Sequence, residues 1–381
     1  MLTNVWRRGG LAALTVACAA GVLAAAGVSA GAAAARPQAR TSVQAPAQAR
    51  ARVPWAQAGP GWELVTYSTP SSHGTTLYLV APNGAKYGLH TWRGTTAPGS
   101  LVAWSGDKSR ALFFNDVNGR VTQLNLMTGK TNSFTLTGQG SPVGYTLPRG
   151  LNILAVVRDG GSWALARLSL TGTPQKVLIR GNAADGGVYD PDGQTLAVPG
   201  PQGIRLVNNA TAAVKNRSVR GTSGCGVSRW WDSRTVLAVC NSTTSGSRLW
   251  LVPVSGAAPM ALTKPRTSGS DLGDIGAWRL SSGLYLQSLG GCGSIEINQQ
   301  HTNGNVTPVT VPGTSNIDNA IVTADGQRLL IDASFSPECG TGRGLLWFNP
   351  GTHAEKWLFG YSAHARLDVV AFNSIENGPG I

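Results

Sequence analysis

The stretch Gly187–Val198 reads G-V-Y-D-P-D-G-Q-T-L-A-V: an apolar strand, a turn built on Asp and Gly, then a second apolar strand. The phrase returns as A-I-V-T-A-D-G-Q-R-L-L-I at Ala320–Ile331 and as V-A-W-S-G-D-K-S-R-A-L-F-F at Val102–Phe114. Looser copies occupy Val143–Val157, Ser228–Val239 and Gly276–Leu286. The turn residues Asp107, Asp192 and Asp325 stand 85 and 133 positions apart. Those separations are close to two and three periods of about 43 to 44 residues, the sign of a solenoid, a propeller or an array.

From Gly61 onward one grammar repeats: two apolar strands, a variable loop, a third strand ending in a turn, and a fourth strand. Six full copies are expected at Leu101–Leu136, Val143–Ile179, Gly187–Val219, Val227–Leu262, Ile275–Val311 and Asn319–Phe359. Before them, W-E-L-V-T-Y-S, T-T-L-Y-L-V-A-P and Y-G-L-H-T-W between Trp62 and Trp92 make only three strands. The missing opening strand is L-D-V-V-A-F at Leu367–Phe372. Joining the two ends removes exposed sheet edges, the physical reason for closing a ring of strands. The expected fold is therefore an all-β, seven-bladed propeller over residues 61–373, closed by a C-terminal strand and followed by a tail, 374–381.

The chain has 381 residues, of which 13% are charged, with 50 Gly and a net charge of +13. Six of its 31 Lys and Arg, and none of its 18 Asp and Glu, precede Gly61; the rest of the chain carries 25 basic and 18 acidic residues. That mild surplus comes without a basic run interleaved with aromatics, so no nucleic-acid partner is expected. After Gly61 no apolar pattern holds a 3.6-residue period for three turns, which excludes long helices.

The first thirty residues look like a secretory signal: Arg7-Arg8, an apolar run from Leu11 to about Ala30, and small residues at Val28-Ser29-Ala30 or Ala33-Ala34-Ala35 for cleavage. Gly9-Gly10 departs from a twin-arginine signal. Membrane attachment would come only through an uncleaved signal or a lipid on Cys18 in Thr15-Val16-Ala17-Cys18. Residues 31–60, rich in Ala, Pro, Gln and Arg, read as a disordered tether whose arginines aid solubility or hold an anionic envelope polymer.

Exported chains pair their cysteines. Of three connectivities for Cys225, Cys240, Cys292 and Cys339, the repeat frame selects one. Cys225 precedes the first strand of its repeat and Cys240 ends the second, so they are neighbours across a hairpin. Cys292 and Cys339 follow second strands of successive repeats and form the other expected pair. All four share one face. Zinc would need a C-x-x-C pair or a nearby His, and the sequence has neither.

The D-P-D-G-Q-T-L-A-V and T-A-D-G-Q-R-L-L-I phrases resemble the WD40-like repeats of TolB-type β-propellers, over nearly all of Gly61–Phe372. The resemblance implies an exported scaffold that binds protein partners at a propeller face; the expected protein is a monomer whose ligand is a protein or a cell-envelope polymer. Similar propellers form the non-catalytic half of serine peptidases; after Gly61 no G-x-S-x-G marks a hydrolase half. Asp107, Asp192 and Asp325 are expected to hold turns with their own side chains. Asp185, Asp271, Asp274, Asp318 and Asp368 precede or open first strands, where the central channel begins. A partial ring of carboxylates there would bind calcium or a basic partner segment; otherwise each organises its own loop. No other cofactor is expected, because His73, His90, His301, His353 and His364 lack metal-ligand spacing. The adjacent Trp230 and Trp231 must face opposite sides of a strand, so one of them is a candidate exposed stacking surface. The alternative to a binding scaffold is a secreted hydrolase or lyase acting on a carbohydrate or peptide at the channel mouth, carrying paired carboxylates.

Overall fold

Two apolar strands separated by an Asp turn can bury both of their faces only if a sheet lies on each side. The structure, a computed structural model describing residues 53–94, 97–181, 186–242, 247–265, 273–289, 295–314, 318–334 and 343–372, arranges them in that way. Among the described residues there is no helix; antiparallel strands form a propeller-like ring of small sheets. Four-strand runs follow one another: Ser100–Thr135, Ser141–Arg180, Val188–Ser218, Thr222–Ala261, Asp274–Pro308 and Asp318–Ser362. Single bridges, Gly200↔Cys225 and Ile295↔Asp318, join the third run to the fourth and the fifth to the sixth.

The remaining sheet closes the ring. Strand Arg366–Ala371 lies antiparallel to Glu63–Ser68, in register from Glu63↔Ala371 to Ser68↔Arg366, and two further strands reach Arg93. Phe372 N–H donates to the Trp62 carbonyl at 2.9 Å and extends the ladder by one bond.

The core lies between sheets. Along the second strand of each run, neighbouring residues serve different sheets because side chains alternate. Ala111 and Phe113 pack with Leu64, Leu77 and Trp92 of the preceding sheet. Leu112 and Phe114 pack with Tyr145 and Ile153 of the following one. Leu330 closes the circle, meeting Val65, Val80 and Leu367.

The turn aspartates act as expected. Asp192 Oδ1 accepts from Gln194 N at 3.0 Å. Asp325 accepts from Arg328 N at 2.7 Å and pairs with its guanidinium at 2.5 Å. Burial works to raise the Asp107 carboxyl, but hydrogen bonds from Ser105 and Ser109 and the charge of Arg110 hold it below the ordinary carboxylate value.

Two features differ from the sequence reading, and a third lies outside it. Residues 53–60, expected to belong to the tether, are part of the folded unit: Val53 and Ala58 are buried against Trp62, Phe372 and Leu101. Their few apolar side chains are diluted by Ala, Pro and Gln, so composition alone hides them. Trp230 and Trp231 do point to opposite sides, but neither is an exposed surface; they are 5% and 6% exposed. Each is covered by a neighbouring sheet, and Trp230 Nε1 donates to the Val188 carbonyl at 3.0 Å. Finally, much of the basic surplus joins one run to the next. Lys176 donates to Ala210, Arg217 to Val254 (3.0 Å from Nε), Lys264 to Asn303 (3.3 Å) and Lys356 to Asn83. In each case a cation on or just after a fourth strand reaches a backbone carbonyl in the next run's turn, which that turn leaves unpaired.

Candidate functional site

In an antiparallel run, the start of the first strand, the end of the second, the start of the third and the end of the fourth share one edge. That edge carries the disulfide: Cys225 and Cys240 are directly opposed in the first hairpin of their run and are bonded. Closing a loop of 15 residues this way stabilises the fold by about 3 kcal/mol in the chain-entropy view. Cys292 and Cys339, like Asp185 and Asp271, lie outside the described residues.

Two of the other aspartates singled out in the sequence, Asp274 and Asp368, are engaged within the fold. Asp274 opens its strand and is 1% exposed; its Oδ1 accepts from Ser288 Oγ at 2.9 Å, and Ser288 Oγ in turn accepts from Asn298 Nδ2 at 2.9 Å. Asp368 Oδ2 accepts from Thr66 Oγ1 and from Leu101 N, both at 3.1 Å. Leu101 belongs to the next run, so Asp368 latches the closing strand to its neighbour. Asp318 pairs with Ser334 in the backbone register. Among the described residues no three Asp, Glu, His or Cys side chains converge as metal ligands. The structure thus gives Asp274 and Asp368 separate local duties.

The sequence reading missed Asp332. A lone acid inside L-L-I-D-A is the signal that was available. Its Oδ2 accepts from Arg343 Nη1 at 2.9 Å. Burial pushes its carboxyl up to about 6; the charge of Arg343 opposes the rise and that of Asp368 adds to it. A folded value above the unfolded one favours the protonated form in the fold. The stability this contributes is therefore fully present below the unfolded value of 3.8 and is lost as pH rises through about 6. Between about pH 5 and pH 7.5, urea unfolding is expected to show a loss of about 1.5 kcal/mol that Asp332→Asn does not show. Identical pH profiles for the two proteins would refute this assignment.

No protein-family model matches this chain, and no curated protein matches it. Solved structures do. A prolyl endopeptidase is 14% identical with a TM-score of 0.57, over 82% of this chain and 49% of that one. Prolyl oligopeptidase B from Galerina marginata is 10% identical with a TM-score of 0.54, over 84% and 53%. TolB from Acinetobacter baumannii is also among the similar structures, 14% identical with a TM-score of 0.42, over 81% and 66%. The chain spans about half the length of the two peptidases. What it shares with the two peptidases is the fold, a β-propeller.

Proposed function

We propose that each four-strand run is one blade, that the closing sheet is another, and that the resulting seven-bladed propeller is an exported scaffold. It binds a protein or an envelope polymer on its disulfide-bearing face and carries out no chemistry there. The observation that supports this reading is the state of three acids on that face. Asp274, Asp332 and Asp368 accept hydrogen bonds from Ser288, Arg343, Thr66 and Leu101, and each thereby holds one strand to another. A general acid or base must reach a proton on its substrate; carboxylates placed for structure do not. The disulfide fits an oxidising compartment outside the cytoplasm.

The test is a pull-down with the purified protein against envelope extract, alongside turnover of a glycan and peptide library. A saturable partner with no turnover is the expected outcome. Turnover that Asp332→Asn or Asp368→Asn abolishes, with no partner recovered, would replace this reading with the hydrolase or lyase at the channel mouth.

A further inference from the structure

At the seam where the chain's two ends meet, the disulfide-bearing face holds an open cleft of about 510 Å³. One wall is the turn between strands Glu63–Ser68 and Gly74–Val80; the other is the connection leading into strand Arg366–Ala371. The walls meet because Ser68 and Arg366 are partners in the closing ladder.

The first wall is preorganised. Ser72 Oγ lies 2.7 Å from the Thr69 carbonyl and 2.8 Å from the Gly74 carbonyl, either of which can take its one proton, and accepts from Thr69 N at 2.9 Å. The His73 carbonyl accepts from Gly94 N at 2.7 Å. Into this frame project His73, His364 and Arg366, all exposed. Among the described residues, none of these three side chains makes a hydrogen bond or an ion pair. No carboxylate lines the cleft. The nearest acid along the strand, Asp368, accepts at Oδ2 from Thr66 Oγ1 and Leu101 N.

We infer that this cleft binds the oxyanion of an acidic sugar unit, a uronate or a sugar phosphate, in an anionic polymer; the inference rests on the binding role proposed for this face. Arg366 supplies a planar fork of donors that fits a carboxylate or phosphate. Each imidazole offers at least one N–H in either protonation state. The lining hydroxyls of Ser68, Thr69 and Thr75 suit a polyhydroxyl ring, and the volume is that of a small-ligand site. A basic peptide would meet like charge at Arg366.

Calorimetric titration of the full protein with oligogalacturonate, oligomeric glycerol phosphate and neutral maltohexaose tests the inference. Saturable binding of at least one anion, weakened by salt, is expected, with maltohexaose inert. Which anion binds identifies the uronate or the phosphate source. Arg366→Gln is expected to weaken binding about tenfold. Arg149→Gln, in the cleft of about 370 Å³ on the opposite face, is expected to leave it unchanged. If Arg366→Gln does not fold, the double variant His73→Asn, His364→Asn at two exposed side chains takes its place. No saturation by either anion, equal binding of maltohexaose, or full affinity in a folded cleft variant overturns the inference. A cleft variant that still captures the wild-type partner from envelope extract would remove the cleft and leave the binding face standing.

Discussion

Ending the chain after Ala365 is expected to leave no cooperatively folded monomer. Six residues of strand, Arg366–Ala371, then no longer cover Glu63–Ser68, and the inner edge of the first sheet lies open to pair with other chains. Leu367 and Phe372, each 6% exposed, go with it. Leu367 packs among Val65, Leu330 and Trp347; Phe372 meets Trp104 edge-on with ring centroids 4.8 Å apart. Losing buried side chains of this size costs about 2–5 kcal/mol each. Hydrogen bonds from Leu101 N to Asp368 and from Phe372 N to Trp62 are lost as well. The total matches the whole stability of an ordinary domain, about 5–15 kcal/mol. Near-UV circular dichroism without fixed aromatic signals, and size exclusion showing aggregates, are the expected readouts. A truncated monomer melting within a few degrees of the full chain would show that the ring does not depend on its clasp.

Arg229 gives the second large effect, and its two variants should diverge. The guanidinium is 4% exposed and lies between the rings of Trp231 and Trp278, with centroids at 5.1 and 5.5 Å. It donates to the Ala277 carbonyl from Nη2, while Nε and Nη1 are buried without partners. No acid pairs with it among the described residues. Burial pulls its value down to about 9. A buried charge with no counter-ion is costly, and the two indoles return about 2 kcal/mol of attraction each. Arg229→Met keeps the packed stem and discards the charge, so we expect unchanged or higher stability, by about 1–3 kcal/mol. Arg229→Ala removes the stem as well and opens a gap between two tryptophans, at a loss of about 2–5 kcal/mol. A lowered value makes wild-type stability rise as pH climbs above about 9, so the advantage of Arg229→Met should shrink there. Urea unfolding at neutral and alkaline pH measures both effects. A loss above about 2 kcal/mol in Arg229→Met would mean that the cation–aromatic contacts outweigh the burial of charge.

Arg229 was invisible in the sequence for the reason that Asp332 nearly was. A charge inside S-R-W-W-D or L-L-I-D-A looks like a solvent-facing position on an alternating strand. Only the sheet packed on that side turns it into a buried group. The paired tryptophans show the same limit: alternation correctly assigns opposite directions to Trp230 and Trp231, and says nothing about whether a neighbouring sheet waits in each. The basic residues show the same limit. Lys176, Arg217, Lys264 and Lys356 count as surplus surface charge until the next run's turn is brought within reach.

Local pattern was enough for the rest. Apolar runs split by D-G and D-K turns determined hairpins, because an Asp side chain satisfies its own turn's N–H groups wherever the turn is placed. The recurrence determined a ring of small sheets, the odd strand at the C-terminus determined how it closes, and the hairpin frame determined the Cys225–Cys240 bond. These are properties of residues close in sequence, or of strands that must find partners. What the tertiary structure alone decided is which polar groups are free. Asp274 and Asp368 carry the same signal in sequence as a ligand ring would, yet they are engaged by Ser288, Thr66 and Leu101. His73, His364 and Arg366, separated by nearly the whole chain and without any shared motif, come together at the seam. A side chain's availability depends on distances across the closed ring, and the order of residues along the chain does not encode those distances locally.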